Sequence, residues 1–123
     1  MLKFALIGLG VMGKNHYRAL QNVAGVQITA LCDPFSKENF SQKIYVDLDE
    51  MLENENLDAA VIATPTSLHK EAALKCMQKG LNLLIEKPVC ANAADAQILL
   101  EEAQKRNLKV AVGHVERFNP AIA

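Results

Sequence analysis

Gly8-Leu9-Gly10-Val11-Met12-Gly13 sets three glycines at the spacing Gly-x-Gly-x-x-Gly. In that pattern the first glycine allows a tight turn. The second lets backbone approach a pyrophosphate with no Cβ in the way, and the third lets a helix pack closely on a strand. The N–H groups that open such a helix, around Val11 and Met12, meet phosphate with the positive end of the helix dipole. Spacing alone is a weak signal. It gains weight here because an apolar run precedes the glycines and a helical pattern follows them. Asp33, about 20 residues after Gly13, is the second element. A carboxylate there accepts hydrogen bonds from the ribose hydroxyls of NAD and repels the 2′-phosphate of NADP. The Asp33-Pro34 pair equally suits a turn or a helix cap. Lys37 is close enough to tolerate a 2′-phosphate, which keeps NADP as the less favoured alternative to NAD.

Thr64-Pro65-Thr66 and Glu86-Lys87-Pro88 each end an apolar stretch. In an open α/β sheet the carboxyl ends of the strands are where ligands sit. The Glu86-Lys87 pair reads either as a structural ion pair or as a proton-transfer group held by its neighbour. Pro88 restricts Lys87 to extended backbone, which fixes its direction.

The elements that must position these residues follow from periodicity. Residues 2–7 read as a strand buried on both faces. A helix is predicted over 12–23, with Met12, His16, Ala19, Leu20 and Val23 on one face. Residues 26–31 form a second strand, ended by Cys32-Asp33-Pro34. Residues 35–43 suit a short helix or an irregular loop. A brief third strand is predicted at 44–46, and Asp47 caps a short helix to residue 52. Residues 58–63 are a fourth strand. Thr66 or Ser67 is expected to cap the next helix, which runs to residue 79 and stops at Gly80. A fifth strand spans 81–85. Asn92-x-x-Asp95 resembles a capping box for a helix reaching about residue 106, and 109–112 is a sixth strand. This alternation predicts an α/β fold, a doubly wound parallel sheet of about six strands with helices on both faces.

Composition removes other classes. A chain of 123 residues allows one domain of ordinary size. Lys and Arg number 13 against 14 Asp and Glu, a net charge of −1, so there is no basic excess for nucleic acid or for a membrane surface. No segment approaches the ~20 apolar residues of a membrane span. Glycines follow the amino-terminal apolar run where a signal peptide would carry a cleavage site, so a cytoplasmic location is expected. Cys32, Cys76 and Cys90 are odd in number and widely spaced, and read as small buried hydrophobes. His114 has no metal partner at useful spacing, so no metal is expected. Met12, Met51 and Met77 read as core filling, and Glu101-Glu102 with Lys105-Arg106 as a solvated helix face. His16 and His69 suit packing or capping as readily as a contact with a cofactor.

Taken together, these residues resemble the amino-terminal domain of the glucose–fructose oxidoreductase, inositol dehydrogenase and rhizopine catabolism (Gfo/Idh/MocA) family. The matches are residues 8–16, Asp33-Pro34, Ala63-Thr64-Pro65-Thr66 with His69, Glu86-Lys87-Pro88, and the closing run 112–120 with His114, Arg117 and Asn119. The closing run most resembles members that oxidise amino-sugar nucleotides, such as UDP-N-acetylglucosamine 3-dehydrogenases. The resemblance implies an NAD(P)-dependent oxidoreductase of a sugar, sugar-nucleotide or polyol hydroxyl. It makes Lys87 the active-site lysine that moves the hydroxyl proton, with Glu86 beside it to orient it or touch the nicotinamide ribose. Partial desolvation beside the nicotinamide is expected to make that lysine usable as a base. The cofactor is lined by Gly8, Leu9, Gly10, Val11, Met12, Gly13, Asp33, Thr64, Pro65, Thr66, His69, Glu86 and Lys87. Substrate falls to Lys87, His114, Arg117 and Asn119.

The same resemblance makes 1–120 the dinucleotide-binding domain and 121–123 the start of a linker to a substrate domain. That domain would complete the active site and support a homo-oligomer, so this chain is expected to bind dinucleotide and turn over little alone. The segment between Asp33 and Asp47 is shorter than the family pattern. A non-catalytic nucleotide-sensing module is the rival reading, since the glycines and Asp33 serve both. A CoA- or mononucleotide-binding domain of similar topology would have little use for Asp33.

Overall fold

The computed structural model describes residues 1–36, 38–87 and 92–113. Six short strands follow from six apolar runs: β1 (Leu2–Ile7), β2 (Val26–Cys32), β3 (Ile44–Tyr45), β4 (Ala59–Ile62), β5 (Asn82–Ile85) and β6 (Val110–Val112). They form one sheet in the order β3-β2-β1-β4-β5-β6, with every neighbouring pair parallel. β4 is buried at every position, as a strand covered on both faces must be. The chain builds outward from β1 to β3, then returns to the other side of β1 for β4. The winding therefore reverses between β1 and β4, which opens a crevice at their carboxyl ends.

Four helices cover the sheet: α1 (Val11–Leu20), α2 (Leu48–Asn54), α3 (His69–Gln78) and α4 (Ala93–Lys105). Side-chain alternation along the strands divides the core in two. Leu6, Val61 and Leu84 pack with Leu20 of α1. Ala5, Ile7, Ile62 and Ile85 pack with Met51 of α2, Cys76 and Met77 of α3 and Leu99 of α4. So α1 lies on one face and α2, α3 and α4 on the other, as the alternation predicts. A bulge sets the faces of β2. Phe4 sits opposite Ile28 but Ala5 opposite Ala30, leaving Thr29 as the extra residue, its Oγ1 donating to the Phe4 carbonyl at 3.3 Å. Ile28 and Leu31 are three residues apart, and the bulge turns both toward α1.

Several expectations are corrected. α1 ends at Leu20, not 23. Residues 21–25 turn away, Gly25 with φ +81°, and Val23 is exposed rather than on the inner face. Of the two forms that suited residues 35–43, the irregular loop is the one found among the described residues. That loop lies on the α1 side, where Phe40 meets Tyr17 edge-on at 4.9 Å and the Tyr17 hydroxyl donates to Gln42 Oε1 at 2.7 Å. Neither Thr66 nor Ser67 caps α3. Thr66–Leu68 form a single 3-10 turn, and α3 begins after Leu68 with no side-chain cap. α2 runs to Asn54, two residues past its expected end, but the expected caps and the stop of α3 are in place. Asp47 and Asn92 accept from the N–H groups of Asp49 and Asp95. Gly80, at φ +78°, closes α3 by donating to Met77, with Leu81 donating to Cys76. No helix among the described residues is long and apolar enough to cross a membrane.

Candidate functional site

One row of backbone hydrogen bonds forms the base of the site. Gly8 N–H donates to Cys32 O at 2.8 Å, Ala63 to Ile7 at 2.8 Å, Glu86 to Ile62 at 2.9 Å and Gly113 to Ile85 at 3.0 Å. Each residue leaving a strand is held against the last residue of the strand beside it. The glycine segment, Thr64-Pro65 and Glu86, distant in sequence, come side by side at the carboxyl edge.

The three glycines have three different reasons. Gly8 has φ +98°, and a Cβ there would lie 2.7 Å from the Ala63 carbonyl. At Gly13 a Cβ would lie 1.9 Å from Gly8 O, so this glycine lets α1 sit down on β1. A Cβ at Gly10 would meet nothing within 4 Å and would project into open space. Fold geometry thus demands Gly8 and Gly13, whereas Gly10 keeps a surface clear.

Helix termini make the same distinction. α2 and α4 are capped by their own side chains and carry acidic residues in their first turns. α1 has Gly10 as its N-cap, no side-chain cap and no acid in its first turn. Its first intrahelical bond runs from Lys14 N–H to Gly10 O at 2.9 Å, so the N–H groups of Val11, Met12 and Gly13 precede the ladder. This is a helix end left ready for an anion.

Asp33 joins two loops. One carboxylate oxygen accepts Leu9 N–H at 2.7 Å and the other accepts Phe35 N–H at 2.7 Å. The turn reading of Asp33-Pro34 therefore holds, and it does not compete with ligand binding. An ionised carboxylate has about four acceptor positions, so two remain toward the cleft.

That cleft has a volume of about 950 Å³ and runs over the β1/β4 crevice. Gly8, Leu9, Gly10, Val11, Met12, Asp33, Thr64 and Pro65 line it. Met12 is therefore a half-buried wall residue rather than core filling. Phe35, Val46, Leu48 and Leu68 add apolar walls that periodicity did not single out, because they lie in a loop, a strand exit, a helix start and a 3-10 turn. Phe35 is 86% exposed and Val46 68%. The short segment between Asp33 and Asp47 thus still contributes a wall. Charges at the rim are paired: Lys14 with Glu38, and Lys75 with Asp49 and Glu71, each at 3.1 and 3.3 Å respectively. Bonding to Asp49 holds the Lys75 ammonium above its ordinary pKa.

Behind the wall sit two buried histidines. His69 Nε2–H donates to the Thr64 carbonyl at 2.8 Å, so it supports the β4 exit from below and does not line the cleft. His16 Nε2 lies 2.6 Å from Glu86 Oε2, and both residues are buried. The hydroxyl of Thr64 is different: among the described residues its Oγ1 is buried with no hydrogen-bond partner. An unmade hydrogen bond on a buried hydroxyl costs stability.

The other expected residues are less central to the cleft. Gly13 lies beneath the glycine turn, and Thr66 opens the 3-10 turn beyond Pro65. Lys87 follows Glu86 at the same edge but is exposed, so the described residues do not supply the desolvation expected for it. Lys37, Pro88, Cys90, His114, Arg117 and Asn119 lie outside the described residues. Cys32 and Cys76 are buried thiols, as expected. No group of three or more metal-ligating side chains occurs among the described residues.

Comparison with known proteins extends this picture. A family described as "Oxidoreductase family, NAD-binding Rossmann fold" matches residues 2–114. A UDP-N-acetylglucosamine 3-dehydrogenase of Acidithiobacillus ferrooxidans is 34% identical over 98% of the chain and 39% of its own length. A 4-carboxy-2-hydroxymuconate-6-semialdehyde dehydrogenase of Sphingobium is 32% identical over 98% of the chain and 40% of its own length. Among solved structures, the WlbA dehydrogenase of Bordetella pertussis, in complex with NADH and UDP-GlcNAcA, superposes with a TM-score of 0.86 at 26% identity, over 96% of this chain and 36% of that one. The chain thus spans 32–40% of the length of the curated relatives it matches.

Proposed function

This chain belongs to the Gfo/Idh/MocA oxidoreductase family, whose domain here is an NAD-binding Rossmann fold, and from that premise we propose that residues 1–113 hold NAD across the β1/β4 crevice. The observation that carries the proposal is the juxtaposition of an uncapped helix end, an open Gly10 and the Asp33 carboxylate around one cleft. Each fits a part of the group. The N–H groups of Val11 and Met12 take the pyrophosphate. Asp33 uses its remaining acceptor positions for the adenosine ribose diol, and Phe35, Val46 and Leu68 face the adenine. Thr64 and Pro65 follow the dinucleotide toward its nicotinamide half. The Asp33 carboxylate places negative charge beside the adenosine ribose, which disfavours a 2′-phosphate and so favours NAD over NADP.

Bound in this cleft, the nicotinamide ring supplies hydride acceptance or donation. The whole protein that carries this chain is an oxidoreductase of a sugar, sugar-nucleotide or polyol hydroxyl, with Lys87 taking or returning the hydroxyl proton. The named activity of the Acidithiobacillus relative supports a sugar-nucleotide substrate. Substrate contacts from His114, Arg117 and Asn119, a homo-oligomeric whole protein and a reducing cytoplasm belong to the same reading. The buried thiols of Cys32 and Cys76 suit that compartment.

Calorimetric titration of the purified chain with NAD⁺, NADH, NADP⁺ and NADPH tests the cofactor reading. Saturable binding with NAD(H) preferred is expected, and a folded sample that binds none of the four would overturn it. In the whole protein, Lys87→Met should abolish turnover and leave NADH affinity within about twofold. A whole protein that binds NADH, with or without the Lys87 change, yet turns over no sugar, sugar-nucleotide or polyol would favour the sensing module instead.

A further inference from the structure

We propose that His16 is a positioning residue: it aims Glu86, and so sets the nicotinamide end of the site from behind the pyrophosphate helix. The inference rests on the cofactor reading above and goes beyond it. His16 lies in the second turn of α1, the helix whose amino end closes the glycine turn. Glu86 is the first residue beyond β5, two strands away from β1 in the sheet. Their side chains meet at 2.6 Å, with His16 2% and Glu86 9% exposed.

Strand geometry explains why Glu86 points this way. Leu84 faces α1 and Ile85 faces α3, so Glu86 continues the alternation back toward α1. Its backbone N–H is fixed by Ile62 O at 2.9 Å. Backbone and side chain are therefore held from two directions, one by β4 and one by α1. A carboxylate that has left water needs compensating hydrogen bonds, and an ionised glutamate only accepts, so His16 Nε2–H is the donor in that state. With its side chain anchored behind the cleft, Glu86 orients the Lys87 backbone and the edge beside Thr64-Pro65. The α1 end that meets pyrophosphate and the strand end that meets nicotinamide become one rigid unit.

This arrangement separates two halves of the ligand. The adenosine half is read by Asp33 and the Phe35 wall, on the β2 side of the crevice. The His16–Glu86 bond acts on the β5 side. Loss of His16 should therefore weaken ligands that carry nicotinamide and spare those that stop at the second ribose.

The test is a titration of the 123-residue chain and its variants with NADH and with ADP-ribose. For His16→Ala, NADH affinity should fall about tenfold, as loss of a charge-assisted hydrogen bond allows, while ADP-ribose affinity stays within about twofold. His16→Gln, whose amide Nε2–H reaches a similar position, should recover most of the NADH affinity. Glu86→Gln, which keeps an acceptor oxygen and is read alongside in case His16→Ala does not fold, should fall between wild type and His16→Ala. Equal losses for NADH and ADP-ribose, or no rescue by glutamine, would make His16 merely structural and overturn the proposal. A wild-type chain that binds neither ligand would bring down the cofactor reading itself, a result distinct from either of these.

Discussion

The Asp33 carboxylate accepts Leu9 N–H at 2.7 Å, tying the end of β2 to the turn that follows β1. Its other oxygen holds Phe35 N–H at the same distance. One side chain therefore shapes both walls of the cleft before any ligand arrives. Asp33→Ala removes both bonds and should lower stability by about 2 kcal/mol, as well as weakening NADH binding about tenfold. Asp33→Asn keeps one acceptor oxygen and should lose roughly half as much stability. Urea unfolding and calorimetry on the same samples measure the two effects. A loss of binding with no change in stability would contradict the structural half of this assignment.

The glycines should respond in opposite ways to one added methyl group. Gly10→Ala meets nothing in the fold, so its melting temperature should stay close to wild type while NADH binding is strongly reduced. Gly8→Ala meets the Ala63 carbonyl and forces alanine to φ +98°, costing about 3 kcal/mol or more. Gly13→Ala, driven against Gly8 O, should be no better tolerated. Thermal melts of the three variants, followed by titration of those that fold, separate the roles.

Thr64→Val replaces the buried, unpartnered hydroxyl with a methyl group of similar size. Because no hydrogen bond to the described residues is lost, the free chain should become more stable by about 1 kcal/mol. A destabilised Thr64→Val would mean that the hydroxyl has a partner in the free protein.

Alkaline conditions should destabilise the chain through three groups acting in one direction. Burial, reinforced by the charges of Asp33 and Asp47, pushes the Cys32 thiol up to about 11. Burial likewise pushes Cys76 up to about 12. The Tyr45 hydroxyl donates to Glu55 at 2.6 Å and is held up at about 12. Unfolded, these groups lose protons near 9 and 10. Above that point the unfolded chain binds fewer protons than the folded one, so stability falls as pH rises. Urea midpoints should be level from pH 7 to 8.5 and decline progressively toward pH 11. At pH 8, a thiol reagent should leave Cys32 and Cys76 unmodified in the folded chain and label both in denaturant, which peptide mapping resolves.

Much of this was legible one residue at a time. The glycine spacing, Asp33, the Asp47 and Asn92 caps and the Gly80 stop are local features, and each is read over a few neighbouring positions. The six strands were legible because a buried parallel strand is a short apolar run, whatever its partners. Helix starts without a capping side chain were harder. Thr66 and Ser67 look like caps, yet Pro65 leads into a 3-10 turn that delays α3 to His69.

What the amino-acid sequence determined by itself was therefore the inventory: alternating strands and helices, a phosphate-compatible turn and a carboxylate at ribose distance. Tertiary structure alone decided how these meet. The bulge at Thr29 chooses which side chains of β2 face α1, an effect of pairing register that no local pattern encodes. The ladder row that places Gly8, Ala63, Glu86 and Gly113 side by side joins residues up to 105 positions apart only because parallel strands align their ends. His16 and His69 were ambiguous in sequence because a buried histidine is defined by its partner. Those partners, Glu86 and the Thr64 carbonyl, lie on strand ends that only the folded sheet brings within hydrogen-bond reach.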